Sequence, residues 1–296
     1  MKFGFVVLHY KKDDDTSECV DSIEKIAVNK VIYIVDNNSN NGSYERILEK
    51  YKYKDNIICI HLEKNFGFAK GNNVGIRKAK KDGCNFICVL NNDTVIKQKD
   101  FIEQCAQMWQ RTQYAVYGPR IISLIDGLDQ NPFLVPRHYV KSVSDATKLY
   151  MLGAIKYFSI LLHLPMWWEK DDNHKTFNGG KELVTLDSQN EDFLLCGACF
   201  VLSPVYLEKY DQICNLTFMY EEETIIYMLS RLLNYKVVYS PDAVVYHKEK
   251  SATNAVNMSD RQRLLFGYGE DFKSRGKVLK IMLHKNNKGY LEKLLI

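Results

Sequence analysis

Three groups of polar residues have the types and spacing that chemistry needs. The apolar run Phe86-Ile87-Cys88-Val89-Leu90 ends in Asn91-Asn92-Asp93-Thr94, so a carboxylate and two amides stand where a buried strand leaves a sheet. Taken alone the same stretch is a strand-ending turn, because Asn and Asp tolerate turn backbones. A carboxylate at Asp93 suits Mg²⁺ or Mn²⁺, hard ions that take one or two protein carboxylates and complete their shell with phosphate oxygens and water. That is a nucleotide-diphosphate arrangement. Farther on, Phe218-Met219-Tyr220-Glu221-Glu222-Glu223 puts three acids at the start of a helix, where one would suffice to oppose the helix dipole. Adjacent helix positions point about 100° apart, so at most one of Glu222 and Glu223 aims straight into a cleft, and periodicity leaves open which. Finally, Val244-Val245-Tyr246-His247 leaves an imidazole at a strand end, able to complete a site begun by Asp93.

The elements that must position these groups are readable from hydropathy. Residues 3–8, 31–35, 57–62, 86–90 and 114–117 are strand-like, with helical patterns between them. Asp15 and Glu18 make a capping pair for the first helix. Such β-α-β repetition predicts a parallel sheet with right-handed crossovers. The first three strands end in His9-Tyr10, Asp36-Asn37-Asn38-Ser39 and Lys64-Asn65-Phe66-Gly67, which with residues 91–94 form one polar rim and predict a ligand crevice. Regularity stops after Pro119, and residues 126–181 carry Gly, Pro and aromatic residues without a clear period, as an insertion or variable lobe would. Order resumes with a strand over 193–202, a helix opening at Pro204, a helix over about 222–234 and a strand over 236–239.

The chain has 296 residues, a formal net charge of +4 and 46% hydrophobic residues, enough for a large core. Basic residues are not interleaved with aromatics, so nucleic acid is not an expected partner. The eight cysteines fall mostly in apolar runs; Cys196-Gly-Ala-Cys199 has half-site spacing, but no second pair follows, and its apolar flanks favour a core role. Charge follows the first strand too soon for a signal peptide, so a cytoplasmic protein is expected. The apolar stretch 149–168 is interrupted by Lys156, His163 and Pro165 and falls short of a spanning helix. From Arg261 onward nine basic residues face three acids, which reads as a solvated helix or a membrane-facing basic patch. No Gly-x-Gly-x-x-Gly follows the first strand, and no P-loop occurs, so dinucleotide and P-loop chemistry lack their phosphate cradles.

In order, the motifs His9-Tyr10, Asp36-Asn37-Asn38-Ser39, Asn65-Phe66-Gly67-Phe68-Ala69-Lys70-Gly71-Asn72-Asn73-Val74-Gly75, Leu90-Asn91-Asn92-Asp93-Thr94, Cys196-Gly197-Ala198-Cys199, Phe218-Met219-Tyr220-Glu221-Glu222-Glu223 and His247 resemble family 2 glycosyltransferases of the rhamnosyltransferase-like kind that builds bacterial surface polysaccharides. The resemblance covers roughly residues 1–120 and 190–250. It implies an α/β GT-A fold, with a mostly parallel central sheet flanked by helices, a variable acceptor-side lobe and a helical C-terminus. The implied division is 1–120 as the nucleotide-sugar-binding half, 121–258 as the acceptor-binding and catalytic half with the insertion 126–181, and 259–296 as a basic helical segment. It implies inverting transfer from a nucleotide-diphosphate sugar to a hydroxyl of a lipid-linked polysaccharide-precursor acceptor, by a cytoplasmic enzyme peripheral on the inner face of the cell membrane. Among site residues it implies His9, Tyr10, Asp36, Asn38, Asn65, Gly67, Gly71, Asn72, Asn92 and Asp93 around the donor nucleotide, and Cys196, Gly197 and Ala198 at the acceptor and donor sugar. Asp93 and His247 are the implied ligands of Mg²⁺ or Mn²⁺. Glu223 is the implied base and Glu222 the alternative, since the family's Glu-Asp is here Glu221-Glu222-Glu223-Thr224. Asn91 stands where many relatives place a first Asp, which implies weaker metal binding, secured with the donor present. A sugar nucleotidyltransferase would need a Gly-rich, Arg-containing loop where this chain has Lys11-Lys12-Asp13-Asp14-Asp15. A degenerate scaffold is disfavoured by the joint presence of Asp36, Asp93, Glu223 and His247.

Overall fold

The computed structural model describes residues 1–134, 139–164, 183–249 and 259–296. Its strands are β1 (Phe3–His9), β2 (Lys30–Asp36), β3 (Ile57–His61), β4 (Phe86–Asn91), β5 (Thr94–Val95), β6 (Val116–Ser123), β7 (Asp129–Asn131), β8 (Leu186–Asp187), β9 (Cys199–Leu202) and β10 (Val237–His247). The helices are α1 (Asp13–Glu24), α2 (Ser43–Tyr51), α3 (Phe68–Lys81), α4 (Phe101–Thr112), α5 (Val143–Leu161), α6 (Pro204–Leu207), α7 (Glu222–Leu232), α8 (Asp260–Leu283) and α9 (Lys288–Lys293). One sheet runs β3-β2-β1-β4-β9-β6-β10-β5, with β7 beside β6 and β8 beside β10. The pairs β1/β2, β1/β4, β2/β3 and β6/β10 are parallel, while β9 runs antiparallel to both β4 and β6. This is the expected α/β architecture: β1 and β4 are buried along nearly their whole length, as strands covered by helices on both faces must be.

Glycines set how closely α3 lies on the sheet. A Cβ at Gly75 would stand 2.5 Å from Val6 Cγ1, and one at Gly71 would stand 2.6 Å from Leu8 Cδ1. Asn73 clamps the same helix to a distant loop, donating to Ile213 O at 2.8 Å and accepting from Ile213 N at 2.9 Å.

Several expectations need correction. The expected cap of α1 does not form: the helix opens at Asp13, and Asp15 instead accepts from Lys248 Nζ at 2.9 Å. β6 begins at Val116 and continues through Pro119 to Ser123; the proline is tolerated because β10 breaks register between Ser240 and Val244 at that point. The expected strand over 193–202 shortens to β9, and residues 193–198 form an irregular wall that includes an isolated bridge from Leu194 to Phe133. The lobe expected to lack a period contains α5, 19 residues long, whose Ser142 and Asp145 form a reciprocal capping box. Its period is masked in the sequence because it is apolar on two sides. One side packs antiparallel on α8, with Gly153 against Arg275 and Tyr157 against Gly269; the other exposes Met151, Leu152, Ile155 and Phe158. No helix among the described residues is long and apolar enough to cross a membrane, and residues 165–168 of the apolar stretch lie outside the described ones.

Candidate active site

A cleft of about 1070 Å³ opens along the carboxyl ends of β1, β2 and β4, and residues from the loop before β9, from the start of α7 and from α8 close it. One wall is formed by Tyr10, Asn37, Asn65, Gly67, Asn92 and Asp93. Asn37 holds that wall together: its Nδ2 donates to Asn65 Oδ1 at 2.8 Å and to Gly67 O at 3.2 Å, and its Oδ1 accepts from Phe66 N at 2.9 Å. Gly67 has φ +82, and a Cβ there would lie 2.2 Å from Phe218 O, so only glycine lets this loop meet the segment that leads into α7.

Not every expected residue reaches the cleft. His9 and Asp36 are fully buried behind its wall, and Asn38, Gly71 and Asn72 do not line it either. Asp36 accepts from Ser39 N at 3.1 Å on each oxygen and from His61 Nδ1 at 2.6 Å. His9 meets Thr16 Oγ1 at 2.7 Å through Nδ1 and Ser43 Oγ at 2.9 Å through Nε2. Burial pushes the His9 imidazole down to about 4, against the smaller opposing pull of Asp36. Gly71 serves helix-on-strand packing, and Asn72 turns back to donate to Phe68 O at 3.1 Å.

Asp93 and His247 do come together, because β5 pairs with the end of β10 and sets Thr94 opposite His247. His247 Nε2 lies 3.2 Å from Asp93 Oδ1. Its Nδ1 meets Gln130 Oε1 at 2.8 Å and donates to it, so in the neutral ring the Nε2 lone pair faces a carboxylate oxygen. Carboxylate plus imidazole, oriented from behind by an amide, fits a divalent ion with open positions, and Mn²⁺ better than Mg²⁺. Among the described residues no group of three or more His, Cys, Asp and Glu gathers as a cage. Gln130 was not foreseen, since it lies in the stretch without a period.

The three acids separate by environment. Tyr220 and Glu221 both have left-handed backbones, φ +70 and +66, which non-glycine residues adopt under local strain. Glu221 pairs with Arg275 Nε at 3.2 Å, and its Oε2 has no partner. Glu222 is buried, accepts from Thr217 Oγ1 at 3.0 Å, and is pushed up to about 8 by burial and then by the charge of Glu223. Glu223 alone keeps partial exposure in the cleft, accepts from Gly197 N at 3.0 Å and is raised by burial against backbone hydrogen bonds. A Cβ at Gly197 would lie 2.7 Å from Glu223 Oε1, so the Cys196-Gly197-Ala198 turn is shaped around this carboxylate. All eight cysteines are free; Cys199 lies 3.7 Å from Cys88, and burial holds the Cys196 thiol at about 12. Cys196 is therefore a wall residue and no nucleophile.

The basic tail was expected to face solvent or a membrane, yet Arg263, Phe266, Asp271 and Arg275 of α8 enter the cleft. Arg275 is 8% exposed and also pairs with Asp271 at 2.9 Å. The i, i+4 spacing of Asp271 and Arg275 was the available signal, but it does not tell which way the helix faces.

The family model for Glycosyl transferase family 2 matches residues 5–161. The low-salt glycan biosynthesis hexosyltransferase Agl10 of Haloferax volcanii is 29% identical over 121 residues, 40% of this chain and 36% of that protein. This chain thus aligns with little more than a third of that relative's length. Among solved structures, S. aureus TarS matches with a TM-score of 0.53 at 16% identity, covering 96% of this chain and 41% of that one. S. aureus TarS 1-349 in complex with UDP-GlcNAc matches with a TM-score of 0.51 at 14% identity, covering 96% and 72%. These structural likenesses show a shared fold.

Proposed function

The chain belongs to Glycosyl transferase family 2 and has the GT-A fold, and from the cleft's geometry we propose that it is an inverting transferase moving one sugar from a nucleotide-diphosphate donor to a saccharide hydroxyl. The observation that carries this reading is one cleft lined by a half-buried carboxylate, Glu223, together with the Asp93–His247 pair. Glu223 takes the proton of the acceptor hydroxyl; the raised affinity of its carboxyl for protons suits a general base. The hydroxyl oxygen then forms its bond to the anomeric carbon on the face opposite the departing diphosphate, and configuration inverts. Glu222, held protonated at neutral pH, keeps a second negative charge away from that oxygen. A Mn²⁺ or Mg²⁺ ion held by Asp93 and His247 would supply positive charge against the diphosphate when bound. Tyr10, Asn37 and Asn65 receive the nucleoside, while His9 and Asp36 position the Asn37 loop from behind.

The acceptor in this reading is a lipid-linked polysaccharide precursor, met at the inner face of the cell membrane through the apolar face of α5. Flotation with anionic liposomes tests the membrane contact, and protein left in the pellet would refute it.

For the donor, thermal unfolding with UDP-, GDP- and dTDP-sugars plus Mn²⁺ is decisive. UDP-GlcNAc heads the panel because TarS, of the same fold, has been solved with it. A matching donor at a hundred times its Kd stabilises by about 2.7 kcal/mol, and the response should need Asp93. If no nucleotide sugar shifts the midpoint, the transferase reading fails.

A further inference from the structure

We propose that the α8 end of the cleft is an acceptor subsite for a phosphate group, with Arg263 as its anion-binding residue, so that the acceptor is a phosphate-linked sugar. This rests on the transferase reading for the word acceptor, but the anion site stands on its own observations. Arg263 Nε is buried and has no hydrogen-bond partner, and no described carboxylate forms an ion pair with this guanidinium. Arg275, on the same helix and lining the same cleft, is by contrast held by both Glu221 and Asp271. Arg263 is half-buried, and a guanidinium that stays charged at every working pH and lines a cleft without a counter-charge is suited to an anionic ligand.

The surroundings say which end of which substrate this is. Around Arg263 the wall is aromatic and apolar: Phe266 is 40% exposed and meets Phe218 edge-on at 6.5 Å, and Tyr220 is 37% exposed. Phe133 and Leu194 continue the apolar lining. Exposed aromatic faces suit a sugar ring or an alkyl chain, and the planar five-donor fork of arginine suits a phosphate. α8 joins the base side of the cleft, through Arg275 to Glu221, two residues from Glu223. Twelve residues separate Arg263 from Arg275, about 18 Å along the helix, which leaves room for at least one sugar between the attacked hydroxyl and the phosphate.

The test is calorimetric binding of octyl phosphate to the full chain preloaded with saturating UDP and Mn²⁺, using wild type, Arg263→Met and Arg263→Lys. Octyl phosphate should bind wild type without displacing UDP, weaken about 10- to 100-fold in Arg263→Met, and be partly restored by lysine. Each variant should keep the wild-type unfolding midpoint, and Phe266→Ala should weaken the same probe in a fold with Arg263 intact. Equal binding by wild type and Arg263→Met, or no binding at all, overturns the subsite. Displacement by UDP overturns it too, assigning Arg263 to the donor diphosphate. Inorganic phosphate binding as tightly as octyl phosphate would refute the acceptor assignment. A donor panel without response, alongside Arg263-dependent octyl phosphate binding, would sink the transferase reading and leave the anion site.

Discussion

Around His9 and Asp36 the buried polar side chains close on one another, through Thr16, Ser39, Ser43 and His61, whereas across the cleft Glu221 Oε2 and Arg263 Nε have no partner. The first cluster consists of residue types that invite a catalytic reading, yet its central His9 and Asp36 are fully buried and do not line the cleft. The second carries backbone strain at Tyr220 and Glu221 and crowds three carboxyls at the start of one helix. Satisfied networks rigidify a fold, while unpartnered polar atoms and strained backbone inside a cleft leave bonding capacity that a ligand can take up. In the proposed reading the contrast separates residues that hold the site from residues that use it. Substitutions in the sealed cluster should cost stability, and those in the open cluster should cost turnover.

The sharpest way to break this contrast is Glu223→Gln. Transfer should fall roughly 10²- to 10⁴-fold while donor binding and the unfolding midpoint hold. Full activity in that variant, by nucleotide release or sugar transfer, would remove the base from the open cluster. In the sealed cluster Asp36→Ala strips Ser39 N and His61 of their acceptor and should destabilise by about 2–4 kcal/mol in urea unfolding. If it instead weakened nucleotide binding in a fully stable protein, Asp36 would belong to the site.

Titration offers a finer comparison, because the two clusters pull stability in opposite directions with pH. His9 is neutral in the fold and takes a proton in the unfolded chain from its ordinary 6.5 downward, so its contribution falls as pH drops from 6.5 to about 4, by about 3 kcal/mol. Glu222 holds its proton in the fold up to about 8 but loses it near 4.5 when unfolded, so its contribution falls as pH rises through that window. His9→Gln should flatten the acid side of the stability profile and Glu222→Gln the neutral side; profiles unchanged by either would contradict the assigned protonation states. The smallest expected effect is His61→Gln, about 1 kcal/mol, since this ring is 45% exposed and contributes one hydrogen bond. A loss much larger than that would place His61 in the interior of the network.

The alternation of apolar runs and the polar strand ends made the sheet and its rim legible, because a strand buried on both faces must be apolar throughout and break abruptly at its end. The motif blocks carried the family and located Asp93, His247 and Glu223 along the chain. What remained hidden depends on contacts between distant segments. The registers of Glu222 and Glu223 are distinguished by Thr217 and by Gly197 N, neither of which helical periodicity can weigh. The inward turn of α8 depends on α5, whose two apolar sides erase its own period. The sealing of His9 and Asp36 depends on small hydroxyl residues scattered over α1 and α2, each unremarkable alone.

The place of β9 between β4 and β6 has a consequence for synthesis. β4 ends at Asn91, and the strand that covers its free edge begins at Cys199, 108 residues later. At about 5–20 residues per second, the apolar edge from Phe86 to Leu90 emerges on the order of 5–20 s before its partner exists. Through that interval it is an open template for another nascent chain. The protein should therefore lean on chaperones during translation more than its finished stability would suggest, and chains cut short before Leu202 should aggregate.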